Sequence, residues 1–186
     1  MQKSILWDGL LNDTDEHCAV NYLQDAIMVR SEIEGWAQGM PVYADYTLKL
    51  NLAWEVQEFN INFHVRDTQH HYTLLRDHLG NWTDDKGEHY PEFKDCRFID
   101  ISLTPFTNSL PVNGLFLAHG ESNSFDLVYI DVVANEIRKE HQKYTKAGYH
   151  NYHFENADAS FTADLQVDDD GFVIEYPGLF SMIQPK

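Results

Sequence analysis

Apolar and polar residues alternate with period two over much of this chain, the mark of strands that bury one face. Tyr46, Leu48, Leu50 and Leu52 alternate with Thr47, Lys49 and Asn51, and Phe59, Ile61, Phe63 and Val65 alternate with Asn60, Asn62 and His64. Between these runs the apolar phase slips from even to odd numbers. A turn or a bulge is therefore predicted between residues 52 and 58. Ile99, Ile101 and Leu103 form a third run, and Phe161, Ala163, Leu165 and Val167 a fourth. Asp168-Asp169-Asp170-Gly171 is a strong turn signal leading into Phe172, Ile174 and Tyr176, so a C-terminal hairpin is expected. Leu79-Gly80-Asn81-Trp82 and Asp85-Lys86-Gly87 mark two more turns. The stretch from Phe125 to Val133 is apolar at both parities and suits a strand covered on both faces.

Two segments break the pattern. Asn135 to Lys146 carries helix-friendly residues but only Ile137 and Tyr144 as an apolar face, which fits a surface helix or a polar edge strand. The stretch Ser109 to Gly120 has a helix-capping Ser, Pro111 in the first turn and a closing Gly120, and predicts about three helical turns. Leu110, Val112, Leu115, Phe116 and Leu117 point in nearly all directions around it, so such a helix must be enclosed. Gly114 opposes helix there by about 1 kcal/mol. The expected fold is mainly β, a many-stranded antiparallel roll or barrel-like sheet wrapped around one short central helix.

Composition narrows the function. The chain has 186 residues, no repeat and no linker-like tract, so residues 1–186 read as one domain. Its net charge of −17 opposes phosphate backbones and anionic membrane surfaces, and nucleic-acid binding is not expected. No stretch is apolar enough to span a membrane, and the N-terminal sequence lacks the pattern of a secretory signal, so a cytoplasmic protein with Cys18 and Cys96 as free thiols is expected. Ten histidines include His70-His71, but strand neighbours point to opposite faces, and no metal-ligand spacing occurs. Neither a metal nor a cofactor is expected. Hydrolase, phosphate-loop and dinucleotide motifs are missing as well.

The block Asp95-Cys96-Arg97-Phe98-Ile99-Asp100-Ile101-Ser102-Leu103-Thr104-Pro105-Phe106-Thr107-Asn108-Ser109-Leu110-Pro111 resembles the signature of the bacterial putative glycolipid-binding family. Gln142-x-Tyr144, Phe161-x-Ala163-x-Leu165-x-Val167-Asp168 and Gly171-x-Val173-x-x-Tyr176-Pro177-Gly178-Leu179-Phe180 resemble its closing segment, with Trp7, Glu16 and Leu79-Gly80-Asn81-Trp82 matching further upstream. The resemblance implies a β-roll around a short helix and an amphiphilic or glycolipid-like ligand. Where the family carries a pair of arginines after Leu-Pro, this chain has Asn113 and Gly114. A grip on an anionic head group through such arginines is lost, which favours a neutral or different ligand.

Candidate ligand-binding residues are Glu16, Trp36, Tyr46, Trp54, Trp82, Asp100, Thr107, Asn108, Asn113, Tyr144 and Tyr176. Aromatics with a polar tip line small-molecule pockets, yet they also build ordinary β cores. Thr107 and Asn108 either point into a cavity or cap the helix. Two rivals to a binding module stand beside it: a hydrolase-type enzyme using Asp100 or Glu16 as base, and a solid β domain acting through protein contacts.

Overall fold

A computed structural model describes residues 1–183. The chain forms two antiparallel meanders. The first comprises β1 (Gln2–Gly9), β2 (Asp13–Tyr22), β3 (Ile27–Ala37), β4 (Met40–Leu50), β5 (Val56–Val65), β6 (Thr68–Arg76) and β7 (Trp82–Asp84). The second comprises β8 (Ile99–Ile101), β9 (Ser122–Asp131), β10 (Glu136–Lys146), β11 (Asn151–Asn156), β12 (Thr162–Val167), β13 (Val173–Tyr176) and β14 (Phe180–Met182). They meet where β1 pairs with β14, giving one sheet of 14 strands with β7 and β8 at its ends. All pairs are antiparallel except β8 with β9, where the chain crosses over through a helical segment. Among the described residues the sheet is one large curved roll, mainly β, around a single short α-helix.

Side-chain alternation fixes which face turns inward. On β4, Val42, Ala44, Tyr46, Leu48 and Leu50 are buried, and on β5, Phe59, Ile61 and Phe63. The phase change has two causes acting together. The register shifts between Lys49 and Leu50, and residues 51–55 make a turn in which Asn51 Oδ1 accepts the N–H groups of Ala53 and Glu55, each at 3.0 Å. Leu52 belongs to that turn and is exposed, not on the strand's apolar face. The C-terminal hairpin forms as expected: Asp168 Oδ1 accepts the N–H of Asp170 and of Phe172, and Gly171 takes the positive φ the turn requires.

Two expectations need correction. Residues 136–146 are neither a surface helix nor an edge strand, because β10 pairs with both β9 and β11. Its polar residues face solvent on one side while Gln142 and Tyr144 are buried on the other. The helix is half the expected length. A 3-10 turn at Phe106–Asn108 runs directly into α1 (Ser109–Gly114), so Ser109 lies inside the helical segment and is not the N-cap. Gly114 ends it, and Gly120 closes a separate turn six residues later. Phe116, read as part of the enclosed face, has φ +52° and is 79% exposed.

The helix is nonetheless enclosed. Phe106 and Leu110 join a core shared by both meanders, whereas Val112 packs into a second cluster with Tyr144, Tyr152, Leu165 and Val173. Side chains therefore fill the roll on both flanks of α1. Gly114 allows the closest approach, since a Cβ there would lie 2.8 Å from the Phe98 ring. Cys18 and Cys96 are free and buried. Among the described residues no helix is long and apolar enough to cross a membrane.

Candidate functional site

The loop from β8 to α1 carries a dense set of buried polar side chains. Thr104, Thr107, Asn108 and Ser109 are all nearly inaccessible to solvent. Burial demands partners, and three of these side chains find them on strands. Thr104 Oγ1 donates to Glu16 Oε1 at 2.8 Å and accepts the N–H of Phe106 at 2.9 Å. Thr107 donates to Asp100 Oδ1 at 2.9 Å and accepts the N–H of Ile101. Asn108 Nδ2 donates to the Tyr144 hydroxyl at 2.7 Å. These anchors hold one wall of a cleft.

That cleft has a volume of about 270 Å³ and opens beside the start of the helical segment. Asp100, Asn108, Gln142 and Asn156 contribute polar groups to its lining, Phe154, Phe161, Leu179 and Phe180 apolar ones, and Tyr129 and Tyr176 both. Gln142 Nε2 donates to Asp100 Oδ2 at 2.8 Å, fixing the carboxylate from β10 while Thr107 fixes it from the loop. Burial pushes the Asp100 carboxyl up to about 6, with Gln142 and Thr107 pulling the other way. Burial, and then the Asp100 charge, push the Tyr144 and Tyr176 hydroxyls above their ordinary value. Both stay protonated at neutral pH. A second concavity of about 240 Å³ sits at the far end of α1, lined by Asn113, Phe116, Leu117 and Tyr149 among others.

Glu16 stands behind the first cleft. It is 3% exposed, and its Oε1 accepts three hydroxyls: Ser31 at 2.6 Å, Tyr46 at 2.8 Å and Thr104 at 2.8 Å. Its Oε2 has no hydrogen-bond partner among the described residues. Burial lifts this carboxyl to about 7 against the pull of the three donors.

The residues singled out in the sequence thus divide. Asp100, Asn108 and Tyr176 line the cleft. Thr107 and Tyr144 hold those residues from behind, and Glu16 with Tyr46 anchors the wall through Thr104. The other four lie elsewhere. Trp36 is exposed at the end of β3, opposite Pro41. Trp54 turns edge-on to Tyr22 and Phe172. Trp82 is core, its indole N–H donating to the Cys96 carbonyl at 3.0 Å. Asn113 bridges the Ser109 and Asp170 carbonyls at the helix's far end, so the arginine-for-asparagine departure falls by the second concavity. Sequence reasoning missed Glu140 and Gln142. A strand reading of residues 136–146 places Glu140, Gln142 and Tyr144 on one face.

A curved sheet closed on a buried helix, with a half-polar, half-apolar cleft beside it, defines the class: a β-roll with a concave small-molecule-sized site. The chain belongs to the family described as putative glycolipid-binding, whose model matches residues 4–182. It is similar to the crystal structure of a DUF1089 family protein from Pseudomonas aeruginosa, with 34% identity over 90% of this chain and 92% of that one, at a TM-score of 0.82. No curated protein matches the chain.

Proposed function

We propose that this protein binds an amphiphilic, glycolipid-like small molecule in the cleft beside the helical segment, with no chemistry performed on it. The observation that carries the reading is the mixed lining of the cleft: the hydrogen-bonding side chains of Asp100, Asn108, Gln142 and Asn156 together with Phe154, Phe161, Leu179 and Phe180. Sugar hydroxyls match amide and carboxylate partners, and an acyl chain matches the aromatic lining. At about 270 Å³ the cleft falls just below the range of about 300 to 1,000 Å³ usual for drug-sized ligands. It suits a head group and the first part of a chain.

The rest of the chain has a route. Leu10 N–H donates to the Leu179 carbonyl at 2.7 Å, which sets the turn after β1 against the apolar rim of the cleft. Leu10 and Leu11 on that turn are 55% and 70% exposed. A tail leaving over Leu179 would lie on them, and each methylene so covered adds up to about 0.8 kcal/mol, roughly fourfold in affinity. Free buried thiols suit a reducing compartment, and we assign the protein to the cytoplasm on the same reading.

The test is gentle purification followed by native mass spectrometry and solvent extraction, then calorimetric titration with alkyl glycosides of rising chain length below their micelle concentrations. Affinity should rise with chain length and fall for Leu10→Asp and Leu11→Asp. No co-purifying amphiphile, together with no binding of any alkyl glycoside, overturns the proposal.

A further inference from the structure

We infer that the head group taken by this cleft carries an ammonium, seated on Asp100 and against the aromatic lining. The inference rests on the amphiphile reading above and goes on to name the chemistry of the head. Two carboxylates line the cleft, Asp100 and Glu140, and among the described residues no Lys, Arg or His lines it with them. Their situations differ. Glu140 accepts the Arg138 guanidinium at 2.6 Å, so its charge is answered from just outside the cleft. Asp100 forms no ion pair among the described residues.

What Asp100 does have is a neutral clamp. Thr107 and Gln142 give one hydrogen bond to each carboxylate oxygen, with the Ile101 N–H nearby. A carboxylate offers about four lone-pair sites. The clamp therefore fixes the group's direction and leaves acceptor capacity turned to the cleft. A charge partly withdrawn from water without a counter-ion is costly, and an arriving cation relieves that cost. Dipoles of neutral donors hold the carboxylate in place but cannot neutralise it.

The aromatic lining favours the same occupant. The Phe161 ring lies 6.0 Å from that of Phe154 and 6.4 Å from that of Tyr176, so three aromatic rings gather at the cleft. Aromatic faces attract a desolvated cation. Arg138 already uses this chemistry, its guanidinium sitting 4.5 Å from the centre of the Tyr129 ring. The net charge of −17 adds long-range attraction for cations and repulsion for anions. A phosphate or sulfate head would meet Asp100 and Glu140 with no cation on the wall to receive it. A neutral sugar fits sterically but leaves Asp100 unanswered.

The experiment is calorimetric titration of the full chain, below micelle concentrations, with four probes: octyl glucoside, octyl 2-amino-2-deoxyglucoside, dodecylamine and dodecyl sulfate. The amino glycoside should bind at least about tenfold tighter than its neutral counterpart, as a charge-assisted contact implies, and dodecyl sulfate should not bind. Asp100→Asn should remove that preference, with melting curves checking its fold. Binding of dodecylamine alongside the amino glycoside supports the ammonium and extends it to long-chain bases; binding of the amino glycoside alone supports it and confines it to amino sugars. Equal affinity for the neutral and amino glycosides in the unaltered protein overturns the inference while the amphiphile reading stands. Failure of all four probes to bind overturns the amphiphile reading itself.

Discussion

Replacing Glu16 by Gln should flatten one part of the protein's stability–pH profile. Glu16 lies in the core, three hydroxyls converge on one of its oxygens, and burial raises its pKa from 4.5 to about 7. In the unfolded chain it ionises near 4.5. Below that pH both states hold the proton and the group contributes no slope. As pH rises from 4.5 toward 7 the unfolded chain releases the proton first, so the folded state binds more protons and stability falls. Above 7 both states are ionised and the loss is complete. At about 1.4 kcal/mol per pH step, the interval between 4.5 and about 7 amounts to roughly 3 kcal/mol. Most of that, about 2 to 3 kcal/mol, falls between pH 5 and pH 8. Urea unfolding at these two pH values, for the wild type and Glu16→Gln, measures it as a difference of differences. Every other titrating group cancels. The wild type should lose about 2 to 3 kcal/mol more than the variant across the interval. Parallel losses would mean that Glu16 ionises as it would in water and that its burial carries no such penalty.

Three further changes follow from particular contacts. Gly114→Ala should destabilise by about 1 to 3 kcal/mol in urea unfolding, despite the better helix former, because the new Cβ meets the Phe98 ring at 2.8 Å and the Ala53 carbonyl at 3.1 Å. Phe116→Gly should raise stability by about 1 kcal/mol, since the ring is exposed and its backbone sits at φ +52°; a lower melting temperature would show that the ring contributes more than its backbone costs. Tyr144→Phe should cost about 1 to 2 kcal/mol by leaving the buried Asn108 amide without its acceptor, and Asn108→Ala made in the same background should then cost less than it does alone.

Where one face of a strand is buried and the other wet, the fold is legible from the sequence, and β4, β5 and β12 follow that rule; the turn after Asp168 forms as read, but beyond it Val173 is buried and Ile174 only half-buried. Strand β10 escapes it for a physical reason. Arg138 pairs with Glu136 and Glu140 on the face that carries Gln142, and Lys143 pairs with Glu155 on the other, so charges at short spacing on both faces imitate a solvated helix. Its inward face holds Gln142, a polar residue buried because Asp100 needs a donor. Local composition cannot register a partner 42 residues away. The helix escapes in the opposite sense. Capping signals at Ser109 and Gly120 bound a stretch twice as long as the helix, which ends at Gly114, with Phe116 two residues on in the left-handed region. Cleft residues split along the same line. Asp100 and Asn108 stand out as polar residues beside an apolar strand and helix, whereas Phe154, Phe161 and Phe180 look like any β-strand aromatic until the fold brings them to one cleft.

The position of Glu16 ties that core to that cleft. The β8–α1 loop supplies Ser102, Thr104 and Asn108 to the cleft, and its anchors fall on three separate strands: Glu16 on β2, Asp100 on β8 and Tyr144 on β10. Strand β2 belongs to the first meander, β8 and β10 to the second. One wall of the cleft is thus fixed by both halves of the sheet at once, through hydrogen bonds that cannot shift independently without leaving a buried polar group unpaired. A chain that only needed to fold could fill these positions with apolar residues of similar volume at little cost. Keeping a carboxylate in the core, and accepting the stability it forfeits above pH 5, is accounted for if the wall must hold its polar groups at fixed positions for a ligand.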